Sequence, residues 1–453
     1  MLKKILLFIL FVSSSLALSA QYTLDGTFTG LSDEKVTLMQ TFADSHHVID
    51  TSYLNENGSF LFTLEEDLPS GQYRVVSQSG LDAFVIFNHE DIQFVVVTDE
   101  YGKYVQVMKS IENMIYYDYE NLKQKNLLKL DILGPVVTYY PKTDPLYKKV
   151  TDRIQNLRKE LTHKASGLIS KNPGTLAAHF IKMEMPVFPP LDLDETAQKE
   201  YLKAHFFDNI DFNDTLLLKC STLNTMIINY LSLYQDRDDD RQTFENKLLV
   251  GLDTILQKSS VNPDMYASVI DFLLQGFESI GFDKGIDYIS EHNQLDQFCT
   301  NTEKILELQD KLYLINKLAI GKTAPDFSHT DIDGNTIRLS DVQAKKTLLV
   351  FWASWCPHCK SVVPEINSLK EKFSDSELQI IGISVDTSLT NLRQVIDEYK
   401  ITWPNIAELK GWEGDIPEIY GIAATPTMYL LDEQKKIIAK PVNKYDLKKA
   451  LGY

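Results

Sequence analysis

The stretch that most constrains the fold of this chain runs from Leu348 to Pro364, Leu-Leu-Val-Phe-Trp-Ala-Ser-Trp-Cys-Pro-His-Cys-Lys-Ser-Val-Val-Pro. Its first five residues are apolar and include β-branched and aromatic side chains, which predicts one buried strand. From Val362 onward, apolar residues recur at helical spacing. A strand, a turn and a helix that begins at Cys356-Pro357-His358-Cys359 are therefore predicted in direct succession.

The Cys-x-x-Cys pair at the start of this helix indicates redox chemistry. Backbone N–H groups and the positive end of the helix dipole favour a thiolate at Cys356. Pro357 suits the first helical turn, where its missing donor costs nothing. His358 adds a donor and, when charged, a cation beside the Cys356 sulfur. We therefore expect Cys356 to be the attacking thiol and Cys359, a turn deeper, to resolve the mixed disulfide.

Two other interpretations of the cysteine pair remain open but are disfavoured. Half of a zinc site needs a second ligand pair, and the chain has only four cysteines, the other two standing alone. A purely structural disulfide between Cys356 and Cys359 would close almost no loop. We predict neither a metal site nor a cofactor.

Several motifs around the cysteine pair together resemble one superfamily. These are Trp355-Cys356-x-x-Cys359-Lys360, Pro364 in the following helix, Thr425-Pro426-Thr427 ahead of an apolar run, and the upstream segment from Ile320 to Phe327. In this order they resemble the thioredoxin superfamily, and more closely its envelope branch of TlpA- and ResA-like thiol–disulfide oxidoreductases. The resemblance covers residues 319–453 and implies an α/β thioredoxin-like domain there.

The resemblance also implies roles for individual residues. Pro426 corresponds to the cis-proline that faces the dithiol, and the backbone at Thr425 would pair with a client peptide as an added strand. Trp355 would shape the substrate-binding surface. The Pro357-His358 dipeptide is that of DsbA, which favours the oxidising half of the range between about −270 and −120 mV.

The chain departs from the family at two positions near the dithiol. Thioredoxins carry a buried acid in the preceding strand, and ResA-like proteins carry a Glu three residues past the second cysteine. Val350 and Val362 stand there in this sequence. Deprotonation of Cys359 should then be slow, which leaves the direction of electron transfer open. Peroxiredoxins share the Ala-Pro-Asp-Phe opening but need a Thr where this chain has Ala353, so a peroxidase is disfavoured.

The first twenty residues predict a secretory signal peptide. Lys3 and Lys4 precede an apolar run from Ile5 to Val12, and small residues end at Ala20. The apolar run is short for a membrane anchor, although an uncleaved anchor is the alternative. We therefore expect a periplasmic or cell-envelope protein, in an oxidising compartment, without stable membrane insertion after signal cleavage.

Changes in periodicity predict three domains after the signal peptide. Short strand-like runs separated by turns occupy residues 21–110 and predict an all-β, sandwich-like domain, similar to a β domain that precedes TlpA-like domains in Bacteroidota. Residues 111–318 have helical periodicity and predict an all-α region, with Gly134-Pro135 among its breakers. Residues 319–453 follow as the α/β domain. The chain is thus predicted to be a multidomain protein.

Charge and the two remaining cysteines add limits. The net charge of −18 is spread along the chain and argues against nucleic acid as a partner. Cys220 and Cys299 lie in the helical region, and we favour two separate buried thiols over a disulfide between them.

We predict an envelope thiol–disulfide oxidoreductase that exchanges its Cys356/Cys359 disulfide with client proteins carrying cysteines or disulfides. It would be served by a membrane or envelope redox partner. The alternative is an envelope binding or scaffolding protein in which residues 21–318 do the main work and the dithiol is ancillary. The sequence does not identify the client, the oligomeric state or the role of residues 21–318.

Overall fold

The computed structural model describes residues 21–42, 45–99, 102–298 and 303–452. The predicted signal peptide and Cys299 lie outside the described residues. The chain forms two compact units, one up to Arg237 and one from Asp238 onward. No helix among the described residues combines the length and apolar character needed to cross a membrane.

The first unit begins with a sandwich of two four-stranded sheets. One sheet has the strand order β4-β1-β7-β8 and the other β3-β2-β5-β6. All strand pairs are antiparallel except β1 with β7. The strands are β1 (Gln21–Phe28), β2 (Lys35–Phe42), β3 (Ser45–Tyr53), β4 (Ser59–Glu65), β5 (Gly71–Ser77), β6 (Asp82–Phe87), β7 (Ile92–Asp99) and β8 (Gly102–Lys109).

An aromatic cluster forms the sandwich core. The ring of Phe60 lies 5.1 Å from that of Phe28 and 5.6 Å from that of Phe62, centroid to centroid. Gly26 on the neighbouring strand leaves room for Phe60, since a Cβ there would lie 2.2 Å from the ring. Alternation along β4, with Phe60, Phe62 and Leu64 buried, is the period expected of a strand with one face in the core.

Helices of the first unit pack beside the sandwich. They are α1 (Ile111–Tyr139), α2 (Pro145–Lys171), α3 (Leu176–Met183), α4 (Glu195–His205) and α5 (Thr222–Ser232), with a 3₁₀ helix at Thr215–Lys219 before α5. The buried amide of Asn113 on α1 receives the N–H of Ile86 at 2.8 Å and donates to its carbonyl at 2.7 Å. This pair of bonds joins the start of α1 to strand β6.

Two predictions for this helical stretch were wrong in detail. Helix α1 continues through the predicted breaker Pro135 to Tyr139, because the proline lies near the helix end and removes only one hydrogen bond there. Helical periodicity over 111–318 predicts no strand-like residue within the segment 215–234, but this segment is divided at Cys220, which is extended. The carbonyl of Lys219 packs so closely on Gly71 that a Cβ there would lie 2.8 Å away, so a contact with β5 decides this break.

The second unit combines four helices with an α/β domain. Its helices are α6 (Arg241–Ser259), α7 (Pro263–Ile280), α8 (Asp283–His292) and α9 (Glu303–Lys317). In helix α7 the Asn262 side chain caps the first turn, and Gly281, at φ 65°, ends the helix. Both ends of α7 therefore carry residues typical of helix caps.

The α/β domain is built on a five-stranded sheet of order β13-β12-β11-β14-β15, with a two-stranded hairpin of β9 and β10. Strands β11, β12 and β13 are parallel, and β14 is antiparallel to β11. Its elements are β9 (Ser328–Thr330), β10 (Thr336–Arg338), β11 (Lys346–Trp352), α10 (Pro357–Lys370), β12 (Leu378–Ser384), α11 (Leu389–Glu398), β13 (Asn405–Ala407), α12 (Asp415–Ile419), β14 (Thr427–Asp432), β15 (Ile437–Ala439) and α13 (Lys444–Leu451).

Strand β11 is the centre of this domain. Thr347–Trp352 are all buried, with alternate side chains entering apolar clusters on the two faces of the sheet. Such burial on both faces explains the continuous apolar run in the sequence. The predicted fold class is confirmed: an all-β region, a helical region and an α/β thioredoxin-like domain follow one another. The boundaries at 110/111 and 318/319 stay predictions, since the compact units divide the chain at 237/238.

Candidate active site

The topology of the sheet brings separate loops to one edge. Because β11, β12 and β13 are parallel, the loops that follow them leave the sheet at the same edge. Strand β14 runs the opposite way and begins there, with Thr427 opposite Phe351. The loop that carries Cys356 and the segment Thr425–Pro426 are therefore neighbours in space, although about seventy residues separate them.

Cys356 caps helix α10 with its own side chain. Its backbone is extended (φ −79°, ψ 115°), and its sulfur receives the N–H of Cys359 at 3.2 Å. The Cys356 thiol also donates to the carbonyl of Thr425 at 3.3 Å. The Thr425–Pro426 bond is cis, as the resemblance implied. The Cys356 side chain therefore lies between the helix N-terminus and the segment that precedes β14.

The two thiols differ in acidity because their surroundings differ. Burial raises the pKa of Cys356, but hydrogen bonds with the side chains of Cys359 and Thr425 and with the backbone N–H groups of Cys359 and His358 outweigh it, and the net shift is downward. Burial is also the largest influence on Cys359, and there it prevails, aided by the hydrogen bond to Cys356, so the pKa of Cys359 is raised. Cys356 is therefore the thiol that ionises first.

His358 acts on the cysteine through its main chain. Its backbone N–H is among the groups that lower the pKa of Cys356, while its side chain is exposed. Pro357 occupies the first helical position and is exposed as well. The donor from residue 358 that lowers the pKa of Cys356 is thus an amide of the helix start. The imidazole cation beside the sulfur stays a prediction.

The two tryptophans near the dithiol have opposite surroundings. Trp352, at the end of β11, is 1% exposed and donates from Nε1 to the Asn405 side chain at 2.9 Å. It is a core residue. Trp355, directly before Cys356, is 55% exposed, and its ring lies 6.1 Å from that of Trp412. The sequence analysis did not single out Trp412, which only the sheet topology brings to this edge.

Valines occupy the two positions where relatives carry an acid. Val350 and Val362 are both buried in the apolar cluster that includes Cys359. Glu365, one turn along α10, instead pairs with Lys444 at 3.2 Å and Lys448 at 3.0 Å on helix α13. Glu365 is the acid closest in sequence to position 362, and its carboxylate is therefore engaged in ion pairs with helix α13.

A buried carboxylate that sequence analysis missed lies in the next loop. Asp386 follows β12 and is 1% exposed. It receives the backbone N–H of Ser354 at 2.9 Å and the Ser384 hydroxyl at 2.7 Å. The Ser354 hydroxyl also donates to it, at 2.5 Å. Asp386 thereby holds the loop that leads into Cys356; its place just after an apolar strand was the available signal.

The remaining described thiol belongs to the other compact unit. Cys220 is a free, buried cysteine in the first unit, and burial raises its pKa to about 12. Its predicted separation from Cys299 stays a prediction, because Cys299 lies outside the described residues. Among those residues, no group of three or more His, Cys, Asp or Glu side chains is placed to hold a metal ion.

Comparisons with known proteins agree with this geometry. Residues 320–440 match the AhpC/TSA family, and residues 148–275 match a domain of unknown function, DUF5106. The thiol–disulfide oxidoreductase ResA of Bacillus thuringiensis subsp. konkukian is 34% identical over 27% of this chain and 69% of its own length. ResA of Bacillus anthracis is 31% identical over 30% of this chain and 78% of its own.

Solved structures include similar chains from Bacteroides. The thioredoxin domain of a thiol–disulfide oxidoreductase from Bacteroides vulgatus is 30% identical, covering 30% of this chain and 96% of that one, with a TM-score of 0.28. A thioredoxin-like protein from Bacteroides caccae is 19% identical, covering 59% of this chain and 96% of that one, with a TM-score of 0.44.

A thioredoxin-like sheet with an acidic thiol at a helix start and a second thiol one turn deeper defines a thiol–disulfide oxidoreductase. Through its C-terminal domain, the chain belongs to the ResA- and TlpA-like thiol–disulfide oxidoreductases.

Proposed function

We propose that this protein exchanges its Cys356/Cys359 dithiol and disulfide with the cysteines of client proteins in the cell envelope. The unequal acidity of the two thiols carries the proposal. Cys356 has a lowered pKa and lies next to the carbonyl of Thr425, whereas Cys359 is fully buried with a raised pKa. This is the asymmetry that a nucleophile and a resolving thiol require.

The exchange proceeds in two displacements. The Cys356 thiolate attacks one sulfur of a client disulfide, forms a mixed disulfide and releases the other client sulfur as a thiolate. Cys359 then loses its proton to solvent and attacks the Cys356 sulfur, which releases the second client thiolate and leaves the Cys356–Cys359 disulfide. Two electrons pass to the client. The reverse sequence oxidises a client dithiol, and a redox partner in the envelope restores the starting state.

The proposed location rests on residues 1–20. Their charged start, apolar run and small-residue end match a cleaved secretory signal, which supports a periplasmic or envelope location for the mature chain. The net charge of −18 disfavours nucleic acid as a partner. We propose protein clients with cysteines or disulfides and a membrane or envelope redox partner.

Trapping of mixed disulfides tests this function. Replacing Cys359 by Ser should leave clients attached through Cys356, because the second displacement is lost. The matched control is Cys220→Ser, which removes a buried thiol of the other compact unit and should trap nothing. A Cys359→Ser protein that never forms an adduct with oxidised insulin or with envelope proteins would contradict client exchange.

The second candidate function is an envelope binding or scaffolding protein with an ancillary dithiol. The observation in its favour is that the redox motifs begin only near residue 319. Insulin-disulfide reduction with dithiothreitol as electron donor separates the two functions. Catalysis by the full chain that disappears in Cys356→Ser supports the oxidoreductase, and an inert full chain supports the binding protein.

The direction of electron flow follows from the reduction potential. Stabilising the Cys356 thiolate stabilises the reduced form, and the apolar surroundings of Cys359, including Val350 and Val362, lack the acid found in relatives. We therefore propose a potential in the oxidising half of the interval from about −270 to about −120 mV. Equilibration with glutathione buffers measures it, and a value near the lower limit would instead indicate a reductant.

A further inference from the structure

Two half-exposed tryptophans stand beside the nucleophile. Trp355 is 55% exposed and Trp412 is 41% exposed, and their rings meet edge to face with centroids 6.1 Å apart. Cys356, the residue after Trp355, is only 4% exposed. A client sulfur that reaches Cys356 must therefore pass over the surface around it, and the two indole rings, here called the tryptophan pair, form an apolar part of that surface.

The loop that presents Trp412 is held in a strained conformation. Leu409 has φ 58°, which is unusual for a residue with a side chain, and Gly411 has φ 66°. A Cβ on Gly411 would lie 3.4 Å from the Thr387 side chain, so this loop packs against the loop after β12. Strain of this kind persists where surrounding contacts impose it, often at functional sites.

Two carboxylates fix the tryptophan pair from either side. Glu408 receives the backbone N–H of Asp415 at 2.6 Å and that of Ile416 at 2.9 Å, which ties the Trp412 loop to helix α12. On the other side, Asp386 holds Ser354, the residue before Trp355. Both indole rings are thus carried by loops that hydrogen bonds hold in place.

The surroundings of Trp412 are acidic. Residues 408–418 contain four carboxylates and one ammonium, that of Lys410. The Lys410 side chain pairs with Asp415 at 3.1 Å, and Glu408 and Glu418 also act on it. Glu413 is exposed beside Trp412. A bound segment with a positive charge would complement this surface.

We propose that the tryptophan pair is the specificity site for clients: it holds an apolar or aromatic side chain close in sequence to the reactive client cysteine, in a segment that also carries Lys or Arg. The inference rests on the proposed exchange function. The pair adjoins Cys356, and tryptophan is among the residues enriched at the few positions that dominate binding energy at interfaces. Burying both indole rings in the free protein would give more hydrophobic stabilisation than leaving them exposed. Packing therefore does not explain their exposure.

Kinetics with matched peptide disulfides test the inference. The substrates are short disulfide-linked peptides with Phe and Lys next to the cysteine, the same peptides with Gly and Asp, and glutathione disulfide. We expect Trp412→Ala to lower kcat/KM for the Phe-Lys peptide about tenfold, chiefly through KM, and to change the other two less than twofold. Trp412→Phe should recover most of the loss.

Tyr445→Ala is the control, since Tyr445 is 72% exposed on helix α13 and should have no effect. The reduction potential of every variant should equal that of the parent protein. An undiminished rate of Trp412→Ala with the Phe-Lys peptide would overturn the specificity site, as would an equal loss with glutathione disulfide, which would indicate general damage. A parent protein inert toward all three disulfides would instead overturn the exchange function itself.

Discussion

At the scale of single residues, hydrogen-bond donors rather than charged side chains distinguish the two thiols. The sulfur of Cys356 receives the N–H of Cys359 at 3.2 Å, and the backbone N–H of His358 also favours its thiolate. Cys359 lies in an apolar cluster, and its burial raises its pKa. One helical turn therefore separates an acidic thiol from one that keeps its proton.

Alkylation as a function of pH checks this difference. Because the folded pKa of Cys356 lies below its ordinary value, its rate of reaction with iodoacetamide should rise with pH with a midpoint below that of a free cysteine. Cys359 should be labelled only at much higher pH. Mass spectrometry of the two peptides measures both rates. His358→Ala should retain the low pKa of Cys356, since the backbone donor remains; a return to the ordinary value would assign the effect to the imidazole.

Among the residues that do not contact either cysteine sulfur, Asp386 is the one whose loss should affect the site most. Asp386→Ala removes the acceptor for Ser354 and Ser384 inside the protein, and we expect the free energy of unfolding to fall by about 2–4 kcal/mol. Urea denaturation of the reduced protein measures it. Asp375→Ala is the control, because that side chain is 82% exposed and its pair with Lys370 contributes about 0.5 kcal/mol or less. Equal losses in both variants would refute the role of Asp386.

At the scale of elements, close packing between strands β12 and β13 supports the site. A Cβ on Gly382 would lie 2.2 Å from the Asn405 side chain and 2.3 Å from the Trp403 ring. Asn405 also receives the Nε1–H of Trp352, at the end of β11. Asn405 thus connects strands β11, β12 and β13, and it fits there because Gly382 has no side chain.

Two glycine-to-alanine substitutions should change the free energy of unfolding in opposite directions. Gly382→Ala should lower the free energy of unfolding by about 1–3 kcal/mol, because Asn405 and Trp403 must move. Gly276→Ala, inside helix α7 with no atom within 4 Å of the new Cβ, should raise it by about 0.5–1 kcal/mol through helix propensity. Chemical denaturation compares the two. A neutral Gly382→Ala would show that the strands adjust without cost.

At the scale of the whole molecule, the chain consists of two compact units. The boundary between them does not coincide with the change from strands to helices or with the start of the α/β domain. The first unit takes the sandwich and helices α1–α5, and the second takes α6–α9 with the thioredoxin-like domain. The segment between α5 and α6 crosses the division at Arg237, which is exposed. Helices of the predicted all-α region therefore belong to two different packing units.

Limited proteolysis checks this division. Trypsin should cut at Arg237 early, and the fragments on either side should persist, because each unit holds its own core. Mass spectrometry identifies the ends, and Arg237→Gln should remove this cleavage while leaving others. Immediate degradation of both fragments after the cut would contradict two independently compact units.

The local sequence by itself determined the helices and strands and the position of Cys356 and Cys359 at the start of a helix. The apolar run of β11, the helical spacing after Cys359 and the caps of α7 are short-range patterns, so they could be recognised without any contact map. Motif resemblance supplied the cis Thr425–Pro426 bond, and the structure places the Thr425 carbonyl beside Cys356. Element boundaries failed where a distant contact intervened, as at Lys219, whose carbonyl packs against Gly71.

Only the tertiary structure decided which side chains join the cysteines. Asp386 and Trp412 lie about 30 and 56 residues beyond Cys356, and neither belongs to a local motif. They reach the site because β11, β12 and β13 are parallel and their following loops share one edge. The division at Arg237 is likewise a property of packing, since helical periodicity is the same on both sides of it and only tertiary contacts assign each helix to a unit.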